Sequence, residues 1–171
     1  MATRLLLLSD THVPARAKRL PDEVWRAVDD ADLVVHAGDW VDLATLDALQ
    51  QRAARLIGVW GNNDGSELRA RLPRIARARV EEVALAVTHE TGAAAGRERR
   101  MDALFAGDRP DLLVFGHSHI PWDSTTPGGI RLLNPGSPTD RRRQPECTLM
   151  TAVIDGPAVR EVTLRPVRRA A

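Results

Sequence analysis

The stretch Leu5-Leu-Leu-Leu-Ser-Asp10-Thr-His12 decides how the rest of this chain is interpreted. Four leucines in a row are typical of a buried strand, and Asp10 and His12 follow where that run ends. Residues two apart on an extended chain project to the same side, so this carboxylate and this imidazole can contact one ligand. Both groups bind divalent metal ions, so the stretch predicts a strand that leads into a metal site.

The same pattern, an apolar run that ends in polar residues, recurs four times further along the chain. The polar segments are Gly38-Asp39, Gly61-Asn62-Asn63-Asp64, His89, and Gly116-His117-Ser118-His119. With His12, this ordered set contains four of the five histidines of the chain. Open α/β sheets place their sites at the carboxyl ends of their strands, so these side chains are predicted to converge.

Strand-like runs alternate with helical patterns in the first sixty residues. The predicted order is strand 5–8, a helix from Pro21 through Val28, strand 33–36, helix 42–51 and strand 55–60. This alternation predicts parallel strands with right-handed crossovers. The second half favours strands at 80–83, 84–87, 112–115 and 130–133, a helix at 96–105, and a hairpin of 147–154 with 158–167. We expect an α/β fold with two sheets packed face to face, helices outside, and one domain over residues 1–171.

The bulk composition excludes several classes of protein. A formal net charge of +1 over 171 residues gives no strong attraction to nucleic acid or acidic membranes. A single cysteine, Cys147, excludes an intramolecular disulfide and suits a reducing compartment. The first apolar run is shorter than the roughly 7–15 residues of an export signal, and no run approaches the ~18 residues of a membrane span. We therefore expect a cytoplasmic protein.

Seven side chains are candidate metal ligands: Asp10, His12, Asp39, Asn62, His89, His117 and His119. Seven ligands are too many for one ion that leaves room for substrate, and they suit two ions about 3.5–4 Å apart. Two such cations repel each other, so we predict that Asp39 lies between them as the bridging ligand. A water or hydroxide between the ions is the predicted nucleophile. The ligand set is compatible with Mn, Fe, Ni, Zn or Co, and Mn is our first prediction.

In this order, the motifs D-x-H, G-D, G-N-x-D, H and G-H-x-H resemble those of the calcineurin-like metallophosphoesterases. The size of the chain and the segment Asn134-Pro-Gly-Ser137 resemble the small YfcE-type phosphodiesterase branch, and the similarity runs from about Leu5 to Asp140. The resemblance implies a four-layer α/β/β/α sandwich of two mixed sheets flanked by helices. It implies one ion held by Asp10, His12, Asp39 and His119, and a second held by Asp39, Asn62, His89 and His117.

Two positions depart from the family pattern. Asn63 stands where many relatives have a His that contacts the phosphate or protonates the leaving group. Asn can hydrogen-bond a phosphate oxygen but cannot act as a general acid near pH 7, so we predict a preference for leaving groups such as nitrophenol. Glu90 follows His89 where the family usually has Gly, and it is predicted either to orient a ligand or to face solvent.

Other polar residues have less specific interpretations. The run Arg141-Arg142-Arg143 is a candidate for guiding an anionic substrate, although such runs are more often solvated loops. His36 is predicted to lie in the core or behind the ligands, and Asp64 to make a local turn hydrogen bond. Substrate choice is expected to lie in loops near 97–100, 122–129 and 141–143.

These observations predict a dimetal-dependent phosphoesterase that acts on small molecules by in-line attack of a metal-bridging hydroxide. Phosphodiesters are the predicted substrates, and phosphomonoesters are the alternative. The alternative is a non-catalytic scaffold on the same fold, like the retromer scaffold subunit. Such proteins tend to lose ligands, whereas every ligand position is filled here, and Asn63 is the one feature that favours a scaffold. A nuclease would need a broad basic face or extra domains. We expect a small-molecule substrate and no membrane or nucleic-acid partner, and the resemblance is compatible with a homo-oligomer.

Overall fold

The structure is a computed structural model that describes residues 1–168; the last three residues of the predicted domain lie outside the described residues. Its strands are β1 (Thr3–Leu8), β2 (Leu33–His36), β3 (Leu56–Gly58), β4 (Ile75–Val80), β5 (Val83–Thr88), β6 (Leu112–Val114), β7 (Trp122–Thr125), β8 (Arg131–Asn134), β9 (Cys147–Asp155) and β10 (Ala158–Val167). Its helices are α1 (Asp22–Asp30), α2 (Leu43–Arg52), α3 (Ser66–Arg71) and α4 (Arg97–Leu104).

Two five-stranded sheets form the centre of the molecule. The first has the order β10-β9-β1-β2-β3, in which β1, β2 and β3 are parallel, as predicted. The second has the order β4-β5-β6-β8-β7, in which β5, β6 and β8 are parallel and the two edge strands are antiparallel. The predicted final hairpin is confirmed as β9 and β10, which pair antiparallel.

The leucine run of β1 shows how the layers are built. Leu5 and Leu7 face the second sheet and pack in one core with residues such as Leu85 and Val114. Leu6 and Leu8 face the other way, into a core beneath α1 and α2. The run is continuous because both faces of this strand are buried. A third core, between the second sheet and α4, completes the predicted α/β/β/α sandwich.

Helices α1 and α2 form where the sequence predicted them. Pro21 precedes α1, and the acidic Asp22 and Glu23 in its first turn favour the positive end of the helix dipole. Asp42 caps α2 because its carboxylate accepts a hydrogen bond from the backbone N–H of Thr45 at 2.9 Å.

Three elements were predicted wrongly or not at all. The strand predicted at 84–87 is confirmed as β5. The strand predicted at 80–83 is wrong, because residues 81–82 form the turn that joins β4 to β5, and Glu81 has a φ of 50°. As an edge strand, β4 carries exposed Arg77 and Arg79 between less exposed residues, which hides it from a search for apolar runs. Strand β7 and helix α3 are short surface elements that were not predicted.

Five strands direct polar side chains to one edge of the sandwich. Strands β1, β2 and β3 of the first sheet and β5 and β6 of the second all end there, each followed by a predicted ligand. This arrangement brings together residues that are more than one hundred positions apart in the sequence. Within residues 1–168, no helix combines the length and apolar character that crossing a bilayer requires.

Candidate metal centre

The structure brings all seven predicted ligands together at this edge, in two halves. The first half contains Asp10, His12 and His119, each at most 6% exposed. The imidazole Nε2 atoms of His12 and His119 lie 3.2 Å apart. Asp10 Oδ1 lies 3.3 Å from Nε2 of His119 and 3.7 Å from Nε2 of His12. We call these three residues the buried half of the centre.

The second half contains Asn62, His89 and His117. Asn62 Oδ1 lies 3.0 Å from His89 Nε2 and 2.8 Å from His117 Nδ1. His89 is buried, but Asn62 and His117 are exposed. We call these three residues the exposed half, and it is the side from which solvent reaches the centre.

Asp39 lies where the two halves meet. Its Oδ2 atom is 3.4 Å from Nε2 of His12 and 3.4 Å from Nε2 of His89. Asn63 holds this carboxylate in place, donating from its backbone N–H to Oδ1 at 2.9 Å and from its side-chain Nδ2 to Oδ2 at 2.6 Å. A carboxylate in this position is suited to bridging two ions, as the sequence predicted for Asp39.

The spacing of the donor atoms fits metal coordination. Two donors about 2.1 Å from one ion, at tetrahedral or octahedral angles, lie roughly 3.0–3.4 Å from each other. Most of the distances above fall near that range. Within residues 1–168, Asp10 Oδ1 is the one buried side-chain oxygen or nitrogen without a hydrogen-bond partner. Buried polar atoms are almost always paired, and a cation bound at this oxygen would supply the partner.

The tautomers of two histidines point to the same conclusion. The ring Nδ1 of His119 is 2.7 Å from the backbone carbonyl of Asp140, and that of His89 is 2.7 Å from the carbonyl of Ala37. A carbonyl only accepts, so each Nδ1 carries the proton and donates. The Nε2 lone pair of each neutral ring is then directed into the centre, as in most histidines that ligate metals.

The charges of the centre favour a cation. Burial opposes ionisation of Asp10, but the neighbouring His119 and His12 imidazoles outweigh it and hold the pKa of Asp10 below its ordinary value. Burial likewise opposes ionisation of Asp39, but the neighbouring His89 outweighs it and lowers the pKa of Asp39. Burial also opposes protonation of His89, yet the Asp39 and Asp10 carboxylates raise its pKa to about 9. A metal ion that binds here has to displace this proton.

The backbone is strained at the ligands. Nine non-glycine residues among 1–168 have a positive φ, and five of them are predicted ligands: Asp10, His12, Asp39, His117 and His119. Each such conformation costs on the order of 1–3 kcal/mol and persists where the surrounding structure enforces it. Gly61 and Gly116 are required for a different reason, since a Cβ at either would collide with Asp39 or Ser9.

A layer of hydrogen bonds behind the buried half was not predicted. Ser9 donates to Asp10 Oδ2 at 2.6 Å, and Ser137 donates to the backbone carbonyl of Asp10 at 2.7 Å. Thr139 donates to the carbonyl of Thr11 at 2.7 Å. The sequence marks 134–137 as a turn, and the family resemblance suggests a position beside the metals, but no local signal shows which groups of the first strand it contacts.

His36 and Asp64 have the supporting roles that the sequence indicated. His36 is fully buried, stacks on Trp40, and lies 3.0 Å from the Thr11 hydroxyl. Asp64 accepts hydrogen bonds from the backbone N–H groups of Gly61, Asp39 and Val41. It therefore fixes the turn that carries Asp39 as well as its own turn.

The predicted arginine contacts are not part of the centre that the structure assembles. Arg141, Arg142 and Arg143 are all exposed. Arg141 donates to the carbonyl of Gln144 and lines a cavity beside α1 and β10. The backbone N–H of Arg142 bonds Asp140, whose carbonyl accepts from His119. Their contact with substrate remains a prediction.

The four-layer sandwich and its centre of carboxylates and histidines define a metal-binding α/β protein. Residues 3–156 match the model of the calcineurin-like phosphoesterase superfamily domain, and the chain belongs to that family. The resemblance inferred from the motifs is confirmed. Membership of this family supports the prediction that the chain is a metal-dependent hydrolase.

Individual relatives agree with this assignment. A probable metallophosphoesterase of Methanocaldococcus jannaschii is 33% identical over 144 residues, which cover 84% of this chain and 70% of that protein. The solution structure of a Thermotoga maritima protein is 34% identical, with a TM-score of 0.76 over 96% of this chain and 99% of that one. Vacuolar Protein Sorting 29 from Cryptosporidium parvum has a TM-score of 0.82 over 98% and 92% of the two chains, but at 21% identity it shows the fold alone.

Proposed function

We propose that this protein is a dimetal-dependent phosphoesterase that hydrolyses small-molecule phosphodiesters. The observation that carries the proposal is the unpaired, fully buried Asp10 Oδ1, which faces the Nε2 atoms of His12 and His119. This oxygen accepts no hydrogen bond from the described residues, and a cation bound between these groups would give it a partner.

The seven ligands divide between two ions as the family resemblance implies. Asp10, His12, Asp39 and His119 would hold one ion, and Asp39, Asn62, His89 and His117 the other. When bound, such a pair polarises the phosphoryl oxygens and supplies a hydroxide for in-line attack at neutral pH. Mn is our first choice, and Fe, Ni, Zn and Co also suit the donor set.

Asn63 has a defined part in this proposal. One N–H of its amide is engaged by Asp39, and the amide has a second N–H that we assign to a phosphate oxygen. It supplies no proton to the leaving group, so nitrophenolate should depart far more readily than an alkoxide. Arg141, Arg142 and Arg143 are proposed only to guide an anionic substrate towards the centre.

Turnover of bis(4-nitrophenyl) phosphate by metal-stripped protein reloaded with Mn tests the proposal. We expect Asp39→Asn to reduce the rate by roughly 100- to 1,000-fold, since metal ions contribute several kcal/mol to such reactions. Asp22→Asn changes the same functional group on the exposed surface of α1 and should leave the rate unchanged. Ethyl 4-nitrophenyl phosphate should lose nitrophenol and retain its ethyl group.

A scaffold on the same fold is the second candidate. It is supported by the fold shared with Vacuolar Protein Sorting 29 and by the absence of a family histidine at Asn63. Protein that retains Mn but cleaves no phosphodiester would favour it over the enzyme. A cytoplasmic location and a homo-oligomeric assembly belong to the proposal as well, from the single cysteine and the family resemblance respectively.

A further inference from the structure

Two of the segments expected to be loops that choose the substrate are regular elements instead, since 97–100 lie in α4 and 122–125 form β7. Arg97 is 4% exposed and lies between the rings of Phe115 and Trp122. Arg100, also on α4, donates to the backbone carbonyls of Thr91 and Ala95 in the segment before that helix. These arginines stabilise the loop that follows His89, and their donor groups are already engaged there.

A small cleft opens beside the exposed half of the centre. It has a volume of about 110 Å³ and is lined by Trp60, Asn62, Arg74, Thr88, His89 and Glu90. Two of these residues are metal ligands, so a group in the cleft lies next to the reacting phosphate. The volume is well below the ~300–1,000 Å³ of pockets that enclose a whole small molecule, so the cleft holds one ring of a larger substrate.

Trp60 is held rigidly at this cleft. The Arg69 guanidinium lies over its indole ring, 4.3 Å from the centroid. Arg69 is itself fixed, because it donates to the carbonyl of Asp64 at 2.7 Å and to that of Asn62 at 3.3 Å. An aromatic side chain that is already ordered loses little conformational entropy when a flat group binds to it.

Arg74 and Glu90 add polar groups of opposite kind to the same cleft. Both are exposed, and Glu90 comes directly after the ligand His89. Arginine only donates hydrogen bonds, and an ionised glutamate only accepts them. A planar ring with both acceptors and donors on its edge can hydrogen-bond Arg74 and Glu90 together, whereas a plain phenyl ring can hydrogen-bond neither.

We propose that this cleft binds the nucleobase of a nucleotide phosphodiester, with the ring against Trp60 and its polar edge between Arg74 and Glu90. This inference rests on the proposed phosphoesterase function and names its substrate class. It also gives a function to Glu90, which is exposed, as one of the two predictions for it had it.

Binding of three phosphate monoesters to the Mn-loaded protein, measured by calorimetry, tests the cleft without requiring turnover. We expect uridine 5′-monophosphate to bind most tightly, phenyl phosphate less tightly and methyl phosphate most weakly. Trp60→Leu should weaken uridine monophosphate binding by roughly 5- to 100-fold, the range seen when one base–aromatic contact is removed. The same variant should leave methyl phosphate binding unchanged.

Matched variants separate recognition from folding. Trp25 also carries an arginine, Arg52, over its ring but lies on α1, so Trp25→Leu should not change binding of any probe. Trp60→Phe keeps an aromatic ring and should retain most of the preference. Glu90→Gln and Arg74→Ala should each reduce uridine monophosphate binding towards that of phenyl phosphate.

The outcomes distinguish this inference from the proposed function. Equal affinities of the intact protein for uridine monophosphate and methyl phosphate, or an unchanged preference in Trp60→Leu, would overturn the cleft assignment even if phosphodiesters are cleaved. A preference for uridine monophosphate that depends on Trp60, in a protein that cleaves no phosphodiester, would retain the cleft and reject the phosphoesterase.

Discussion

The two halves of the centre are built from the same kinds of side chain but are anchored differently. In the buried half, Asp10 and His119 are supported by Ser137 and by the carbonyl of Asp140. In the exposed half, His89 is held by the carbonyl of Ala37, but Asn62 and His117 reach solvent and contact each other. Ligands fixed in advance bind an ion without further ordering, so we infer a tightly held ion in the buried half and a more exchangeable one in the exposed half.

The strongest test of this difference compares two histidines of one loop. His119→Gln should weaken Mn binding on the order of 100- to 1,000-fold, since about 10–16 kcal/mol of site energy is typically shared by four ligands. His117→Gln should weaken it only about tenfold, because water can replace an exposed ligand. Titration of each metal-free variant with Mn, followed by calorimetry, measures both effects.

The two variants are matched, because each lacks one imidazole from the same turn. Circular dichroism of both checks that they fold. Equal losses of affinity in the two variants would show that burial does not separate the halves. A larger loss for His117→Gln would reverse the assignment of the tightly held ion.

The ligands of both halves could be predicted from the sequence, but the difference between the halves could not. Asp10, Asp39 and His119 each follow an apolar run, and such runs end at one edge of a parallel sheet. Ser137 hydrogen-bonds the backbone of Asp10 across 127 residues, and such a contact leaves no periodic signal in the sequence. Side-chain packing across that distance is a property of the folded chain alone.

Contacts between distant residues also explain which strands could be predicted from the sequence and which could not. Strands β1 and β2 are buried on both faces, so their composition alone identifies them. Strands β4 and β7 lie at the edges of the second sheet, where exposed polar residues interrupt the apolar pattern. Edge strands are stabilised by pairing with their neighbours, which a single sequence does not reveal.

The pH dependence of stability tests the layer behind the buried half. Burial lowers the pKa of His36 to about 3, against about 6.5 in an unfolded chain. The backbone N–H of Gly38 donates to His36 Nδ1, so the neutral ring donates from Nε2 to Thr11 and has no place for a second proton. Below pH 6.5 the unfolded state binds the proton and the folded state does not. The free energy of unfolding therefore decreases as the pH is lowered, down to about pH 3.

The expected loss from His36 is about 2 kcal/mol between pH 7 and pH 5. Urea unfolding of metal-free protein at the two pH values measures it, with His36→Gln as the comparison because glutamine does not titrate. Asp10 and other carboxylates contribute equally to both proteins, so the difference between their pH slopes isolates His36. Identical slopes would mean that His36 is not held neutral by burial.

The smallest expected effect concerns Ser137, whose hydroxyl hydrogen-bonds the backbone of Asp10 and not its carboxylate. Ser137→Ala removes the hydroxyl that donates to the Asp10 carbonyl and also accepts from the backbone N–H of Asp140. We expect Mn affinity to fall roughly tenfold, the lower end of the effect of residues that orient metal ligands. Ser66→Ala, at the exposed start of α3, is the matched control. If Ser137→Ala lowers stability but leaves Mn affinity unchanged, the segment around Ser137 supports the fold rather than the ligands, and the buried half owes its affinity to the ligand set alone.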